Sequence, residues 1–136
     1  MVWHDGDTTK DPEGTTYTRD KQIEAGVEEQ KQDPNSLYTY YKKLLMIRRA
    51  NPEIAHGDYT ALPSDGTKVG GFLATYNGST VLVLHNPAMS SKTVDLMMRT
   101  GREPVELRAV IGVEDATLEG ATLHLGGQTS VVIACK

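Results

Sequence analysis

The apolar side chains of this chain change their spacing once, before the middle of the sequence, from a helical period to a period of two. In the first part, the pattern of residues 33–51 predicts one long amphipathic helix. In the second part, two alternating runs, 68–76 and 79–85, flank Asn77-Gly78. Asn-Gly between two such runs is the strongest short signal for a β-hairpin, because a type I′ turn needs positive φ at both positions. The sequence therefore predicts a helix followed by an antiparallel β region.

The ends of the helix are marked by polar and proline residues. Asp33 is expected to be the N-cap and Pro34 the first helical residue, and Pro52 is expected to end the helix. Arg48 projects from the middle of the apolar stripe. It is interpreted either as a side chain whose stem packs while its charge reaches water, or as a buried guanidinium that pairs where helix and β domain meet. The stripe itself consists of Leu37, Tyr40, Tyr41, Leu44, Leu45 and Ile47.

Short runs separated by Gly, Asn and Pro continue to the end of the chain. Such spacing is typical of an antiparallel sandwich or barrel. Further strands are predicted around Thr93–Met98, Val105–Ile111, Ala121–Leu125 and Ser130–Cys135. The expected core residues are Phe72, Leu73, Leu82, Leu84, Leu107, Ile111, Leu123, Leu125, Val132 and Ile133.

Charge and composition exclude several classes of function. Residues 1–32 carry eight Asp and Glu against four Lys and Arg, and are predicted to form a polar loop that needs a scaffold. The net charge of the 136 residues is −4, which gives no basic footprint for nucleic acid or anionic lipid, so neither is expected as a partner. No apolar run is long enough to span a membrane. The single cysteine, Cys135, is expected to pack as a small apolar side chain in the last strand.

The residues that could hold a metal ion are poorly arranged for it. The run Asp5–Asp11 fails the calcium-loop template, because Lys10 stands where the glycine of the sharp turn belongs. The histidines show no paired spacing. No metal and no cofactor are therefore predicted. The four histidines are His4, His56, His85 and His124.

Short stretches of distinctive sequence follow one another in order along nearly the whole chain. They are Met1-Val2-Trp3-His4-Asp5, Val27-Glu28-Glu29-Gln30, Asp33-Pro34-Asn35-Ser36-Leu37, Tyr40-Tyr41-Lys42-Lys43-Leu44, Arg48, Asn51-Pro52, Gly57-Asp58-Tyr59 and Leu82-Val83-Leu84-His85-Asn86. Each stretch alone is weak, but their common order is specific. The series resembles the last barrel helix and the C-terminal β domain of the alpha-amylase family of glycoside hydrolases. The strands after Met97 match that family in pattern alone.

The resemblance implies three segments. Residues 1–32 correspond to a loop left from the last strand-to-helix connection of a (β/α)8 barrel, 33–51 to the last barrel helix, and 58–136 to the C-terminal antiparallel β domain. The implied fold class is mostly β: an antiparallel Greek-key β-sandwich, preceded by a polar loop and one long helix.

The same resemblance implies a parent enzyme that cleaves α-glucosidic bonds by a retaining mechanism with two carboxyl groups. Those groups lie on earlier barrel strands of the family, so they are expected upstream of Met1, and no catalytic residue is assigned to this chain. The implied partner is the catalytic barrel, and an α-glucan substrate is expected only in the parent. The approach Glu28-Glu29-Gln30 favours α-1,4 hydrolysis.

Two kinds of site residue follow from this interpretation. Trp3 is the best candidate for stacking on a sugar ring in the parent, with Asp5 a weaker one, because active sites of barrel enzymes are built at the ends of the strands. Leu37, Tyr41 and Leu44, together with Arg48, are structural candidates that have lost part of their partner surface. Exposed apolar patches promote self-association, so a homodimer that buries the helix is an expectation.

The alternative function is a stand-alone β-sandwich that binds glucans. It needs an aromatic platform that faces solvent, and the β region supplies only Tyr59, Phe72 and Tyr76. A third hypothesis is a structural or protein-interaction domain unrelated to sugars. It requires that the matches of the helix and linker to the family are accidental.

Overall fold

The structure, a computed structural model, describes residues 13–14, 25–63 and 65–136. The chain divides into two compact units, residues 1–45 and 46–136. The sugar-site candidates Trp3 and Asp5, and most of the loop predicted over 1–32, lie outside the described residues.

The first unit contains α1 (Val27–Gln32) and the start of α2 (Leu37–Ala50). The predicted helix start was wrong by three residues. Asp33 and Pro34 lie in a turn, where the Asp33 carboxylate accepts the Asn35 N–H at 2.8 Å. Ser36 caps the helix instead: its hydroxyl oxygen accepts the Thr39 N–H at 3.2 Å and donates to the Gln30 carbonyl at 2.5 Å. The Ser36 hydroxyl thus pairs with a carbonyl at the end of α1 and with an N–H at the start of α2. The Asp33 carboxylate instead accepts an N–H within the turn between the helices.

The end of α2 follows the prediction, but Pro52 has a second role. The helix ends at Ala50, and α3 (Pro52–His56) begins immediately, with Pro52 at its first position. Proline suits this position because its missing N–H has no partner within a helix anyway. The Asn51 side chain donates to the Ile47 carbonyl at 2.8 Å, so the last turn of α2 is satisfied where the chain bends.

The second unit is a sandwich of two antiparallel sheets, which confirms the predicted fold class. The five-stranded sheet has the order β1-β2-β3-β8-β5 and the three-stranded sheet the order β4-β7-β6. The last strand lies between β3 and β5, so strands distant in sequence are neighbours. The bounds are β1 Asp58–Ala61, β2 Gly70–Tyr76, β3 Ser79–Asn86, β4 Lys92–Asp95, α4 Leu96–Thr100, β5 Pro104–Gly112, β6 Ala116–Glu119, β7 Thr122–Leu125 and β8 Thr129–Cys135.

The strand predicted over Thr93–Met98 was wrong in its second half. The strand β4 ends at Asp95, whose carboxylate accepts the Met98 N–H at 2.9 Å and so caps α4. Gly101 closes this short helix with φ of 66°. An N-cap aspartate and a left-handed glycine around Met-Met-Arg favour a helical turn more strongly than the alternating pattern favours a strand.

The hairpin between β2 and β3 is confirmed. Asn77 has φ of 49° and Gly78 has φ of 77°, as a type I′ turn requires. The register pairs Tyr76 with Ser79 across the turn, which places alternate side chains of both strands on the same face of the sheet.

Replacing Gly78 with alanine is expected to lower the free energy of unfolding by about 1 kcal/mol, because an L side chain at positive φ costs about 1–2 kcal/mol. A Cβ at Gly78 meets no atom within 4 Å, so any loss measures the backbone term alone. Gly70→Ala is the matched control, since a Cβ there also meets nothing and Gly70 is outside the positive-φ positions. Urea denaturation of both variants measures the two changes in the free energy of unfolding. An equal effect at the two glycines contradicts the turn assignment.

The main hydrophobic core lies between the two sheets. Leu82, Leu84, Leu123, Leu125 and Ile133 are fully buried there, as predicted. Leu73 and Leu107 are partly buried against the same cluster.

A second, smaller cluster lies on the outer face of the five-stranded sheet. Val81, Val83 and Val132 are buried there, and Ile47 and Ile54 pack against them from the helical segments. The central strands are therefore covered on both faces, although only one cover is a sheet. Strand β3 consequently reads as an almost continuous apolar run.

Candidate functional site

The predicted stripe of α2 is exposed except at Ile47, which packs against the smaller cluster on the sheet. Leu37 is 74% and Tyr41 60% exposed, and Leu44 also counts among the exposed large apolar side chains. Helix α2 buries no residue along its length. A helix with this composition normally covers its apolar face, so the exposed stripe marks the first surface of functional interest.

Arg48 is exposed and forms no ion pair among the described residues. Among the described residues, Arg48 therefore forms no buried guanidinium pair. The exposure fits the other interpretation, in which the charge reaches water.

An open groove of about 570 Å³ lies along this stripe, and we call it the α2 groove. Its position depends on Ser36 and Gln30, because the Gln30 side-chain oxygen accepts the Tyr38 N–H at 3.3 Å while Ser36 donates to the Gln30 carbonyl. The turn between α1 and α2 is thus fixed by hydrogen bonds at both helix ends. The groove is lined by Gln30, Leu37, Tyr38, Tyr41, Lys42 and Leu45.

A buried polar cluster on the second unit, the polar anchor, joins α3 to the sheet and consists of Asn51, Glu53, Ser79 and Arg108. Glu53 is only 3% exposed. Its Oε1 accepts hydrogen bonds from the Ser79 hydroxyl at 2.5 Å and from Arg108 Nη1 at 3.2 Å. Arg108 Nη1 also reaches the Asn51 side-chain oxygen at 3.4 Å. The polar anchor therefore neutralises a carboxylate that α3 carries into the outer face of the sheet.

The position of Arg108 results from a bulge in β5. The pairing of β5 with β8 shifts between Leu107 and Ala109, so Arg108 is the extra residue. A bulge of this kind re-aims a side chain out of the regular alternation. The sequence pattern gave no signal for it, and the polar anchor was not predicted.

Two opposing influences act on the Glu53 carboxyl. Burial raises its pKa, but the hydrogen bond from Ser79, together with the hydrogen bond and positive charge of Arg108, outweighs burial, and the pKa lies below its ordinary value. Glu53 is therefore a carboxylate at neutral pH. Its second oxygen, Oε2, is buried and has no hydrogen-bond partner among the described residues.

Asn86 holds the two sheets together at the end of β3. Its side-chain amide donates to the carbonyls of Ser90 and Gly126, each at 2.9 Å, and its oxygen accepts the Ala88 N–H at 3.2 Å. A fully buried amide with three such partners is structural. The Asn-Pro turn signal marked this position in the sequence but not its bonds.

The described histidines are separate and have protein partners. His85 Nδ1 lies 2.8 Å from the Ser130 hydroxyl, and His124 Nδ1 lies 3.2 Å from the Thr93 hydroxyl. Burial lowers the pKa of His85. Within the described part of the chain, no three His, Cys, Asp or Glu side chains are grouped as metal ligands.

The single cysteine, Cys135, packs against the main core. Burial raises the pKa of its thiol.

The aromatic side chains of the β region form a small cluster, not a flat platform. Tyr59 meets Phe72 edge to face with ring centroids 5.0 Å apart, and the Tyr59 hydroxyl donates to the Ile54 carbonyl. Phe72 and Tyr76 are only partly exposed. Of the three candidates for a sugar platform, only Tyr59 is among the exposed large side chains.

Among the described helices, none has the length and apolar character to cross a membrane.

The chain is similar in sequence and in fold to several known proteins. No protein-family model matches the chain. The chain is 35% identical over 63 residues to an oligo-1,6-glucosidase of Halalkalibacterium halodurans, and 28% identical over 129 residues to one of Bacillus cereus. These matches cover 46% and 91% of this chain. Eubacterium rectale Amy13B has a TM-score of 0.73 over 90% of the chain with 26% identity. The homologues of the present chain belong to the alpha-amylase family.

The chain spans only a small part of its alpha-amylase family relatives. It covers 11% and 23% of the two oligo-1,6-glucosidases and 24% of Amy13B. The trehalulose synthase MutB of Pseudomonas mesoacidophila shares the fold with a TM-score of 0.69, and the chain covers 20% of that structure. This chain therefore corresponds to one region of much longer alpha-amylase family proteins.

Proposed function

We propose that this chain is the non-catalytic C-terminal portion of an alpha-amylase-type glycosidase and gives structural support to its catalytic barrel. The observation that carries the proposal is the asymmetry of coverage: Amy13B matches 90% of this chain, but the chain covers 24% of Amy13B. A chain that corresponds to one region of a longer enzyme gives this pattern. The parent hydrolyses α-glucosidic bonds in starch-like or maltooligosaccharide substrates by a retaining mechanism with two carboxyl groups.

The geometry of the chain supports this role. Its core is complete between the two sheets, so the β domain can fold around its own apolar centre. Two of its buried polar side chains, Glu53 and Asn86, have hydrogen-bond partners within the chain. Exposed apolar side chains are concentrated instead on α2, the element that the family resemblance assigns to the barrel.

The relatives do not single out one linkage. They include oligo-1,6-glucosidases and a cyclomaltodextrinase of Thermoanaerobacter pseudethanolicus, which is 33% identical over 78 residues. The α-1,4 preference drawn from Glu28-Glu29-Gln30 stays a prediction, and the proposal extends to the class of α-glucosidic bonds.

A chimaera tests the supporting role. The region of the Bacillus cereus oligo-1,6-glucosidase that matches this chain is deleted in one version and replaced by this chain in another. We expect deletion to remove most of the soluble activity, the chimaera to recover a clear part of it, and the isolated chain to hydrolyse no p-nitrophenyl α-glucoside. Hydrolysis by the isolated chain, or a chimaera no better than the deletion, would overturn the proposal.

Titration with maltooligosaccharides tests the glucan-binding alternative. Because Tyr59 is the single exposed aromatic side chain of the three candidates, we expect no saturable binding by the isolated chain. Saturable binding that Tyr59→Ala abolishes would favour the alternative.

A further inference from the structure

The chain has four asparagines, and they differ in how easily the backbone nitrogen of the next residue can react with the side-chain amide. That nitrogen can attack Cγ of the asparagine and close a cyclic imide, which is the first step of spontaneous deamidation. The attack needs a peptide N–H on the next residue, and it is fastest at glycine, which has no side chain to shield the nitrogen. The four pairs are Asn35-Ser36, Asn51-Pro52, Asn77-Gly78 and Asn86-Pro87.

Three of the four asparagines are protected from this attack. Pro52 and Pro87 have no backbone N–H, so the reaction cannot start from them. Asn86 is in addition only 1% exposed, and its amide is held by hydrogen bonds to backbone carbonyls. The Ser36 N–H donates to the Asp33 carbonyl at 3.2 Å, which holds this nitrogen within its own turn. The remaining asparagine is the one in the hairpin turn.

The reacting groups of Asn77-Gly78 are open to solvent. Both residues are exposed at the tip of the hairpin between β2 and β3. A Cβ at Gly78 would meet no atom within 4 Å, so the space beside its backbone is free. The register pairs Tyr76 directly with Ser79, so the ladder does not use the Gly78 N–H. Water and base therefore reach this pair in the folded chain.

The turn is directly connected to the polar anchor. Ser79, the first residue of β3, donates its hydroxyl to Glu53 Oε1 at 2.5 Å. Glu53 is 3% exposed, and its Oε2 has no hydrogen-bond partner among the described residues. Loss of a further donor is costly for a buried carboxylate in this state. Because the two-residue turn sets the position of Ser79 relative to Tyr76, a change in the backbone of the turn moves this donor.

We propose that Asn77-Gly78 is a site of spontaneous deamidation, and that its isoaspartate product weakens the polar anchor. The Gly78 nitrogen bonds to Asn77 Cγ, and the side-chain amino group leaves as ammonia with the proton from that nitrogen. Water then opens the cyclic imide. Opening at the side-chain carbonyl gives aspartate, whereas opening at the main-chain carbonyl gives isoaspartate, in which Cβ becomes part of the backbone. Asp-Gly still favours a type I′ turn, but isoaspartate lengthens the turn and displaces Ser79 from Glu53.

Ageing of the purified chain tests the reaction. The chain is kept at neutral and at alkaline pH, and samples are digested with trypsin for mass spectrometry. The peptide 69–92 contains both Asn77 and Asn86, so one molecule reports on both sites. We expect the acid form to accumulate at Asn77 alone, and faster at alkaline pH because the attacking nitrogen must lose its proton. No conversion at Asn77, or equal conversion at Asn86, would overturn the site.

The variant Asn77→Gly is the matched control for the chemistry. Gly-Gly also adopts a type I′ turn, but it has no side-chain amide to react. The mass of its peptide 69–92 should therefore stay constant under the conditions that convert the wild type. A mass increase in this variant would place the modification elsewhere in the peptide and overturn the assignment.

Urea denaturation tests the coupling to the polar anchor. The deamidated fraction that contains isoaspartate is isolated by ion exchange. We expect its unfolding equilibrium constant to be at least about tenfold larger than that of the fresh chain, because a hydrogen bond to a charged group is lost. Asn77→Asp carries the same new charge on a normal backbone, and it should differ from the wild type by less than about threefold. Equal stability of the aged and fresh chains would overturn the coupling.

The variant Ser79→Ala shows whether the loss acts through Glu53. It has already lost the hydroxyl that donates to the carboxylate, so ageing should increase its unfolding equilibrium constant by less than about threefold. An increase as large as in the wild type would mean that isoaspartate disturbs the turn alone. These measurements use the chain without a barrel, so their outcome is independent of the proposed function.

Discussion

Replacing Leu82 with alanine is expected to lower the free energy of unfolding by about 2–5 kcal/mol, the range for a leucine removed from a packed core. Leu82 is fully buried on β3, where the register places it between Leu73 of β2 and Ile133 of β8. Neighbours on both sides are held by the sheet, so they cannot move in to fill the space. The loss contains both the transfer term and a cavity term.

The same substitution at Leu37 is the control. Leu37 lies on α2 and is largely exposed, so Leu37→Ala should change the free energy of unfolding by no more than about 0.5 kcal/mol. Urea denaturation followed by circular dichroism measures both. A large loss at Leu37 would mean that α2 is covered in the isolated chain. A small loss at Leu82 would mean that the two sheets do not enclose a packed core.

The parts of the fold that local chemistry determines could be predicted from the sequence. Asn77-Gly78 predicts the hairpin because positive φ at two successive residues is a local requirement, and alternation then places Leu82 and Leu84 on the core face. Where two local signals compete, prediction is weaker. The alternating pattern of Thr93–Met98 suggests a strand, but the cap at Asp95 and the glycine at 101 form a helical turn.

The polar anchor could not be predicted, because it depends on contacts between residues far apart in sequence. Glu53 and Arg108 are 55 residues apart and meet only because β5 carries a bulge beside β8. The alternating sequence pattern of β5 predicts neither the existence nor the position of that bulge. In the α2 groove, Leu37 and Tyr41 followed from the helical period. Gln30 did not, because its place depends on how α1 turns into α2.

Replacing Arg108 with methionine is expected to lower the free energy of unfolding by about 3 kcal/mol, since removing one partner of a buried ion pair leaves the other charge uncompensated. The estimate lies at the low end of the usual range because the Arg108 side chain is 31% exposed. Glu53 remains buried in that variant, and its Oε1 keeps only the Ser79 hydroxyl of its two side-chain donors. The double variant Glu53→Gln/Arg108→Met should recover most of the loss, because the glutamine side chain is neutral and still accepts from Ser79.

The pH dependence separates the ion pair from simple loss of packing. In the folded wild-type chain the pKa of Glu53 is lowered from 4.5, so its contribution to stability is present above that value and is lost as the pH falls through the folded pKa. In Arg108→Met the hydrogen bond and the positive charge of Arg108 are both gone while burial remains, so the pKa of Glu53 rises. Protonation then relieves the buried charge, and the stability gap between wild type and Arg108→Met should narrow as the pH falls below about 4.5. A gap that is the same at neutral and acidic pH would mean that Arg108 stabilises the sheet through its stem, and that its charge has no part in holding α3.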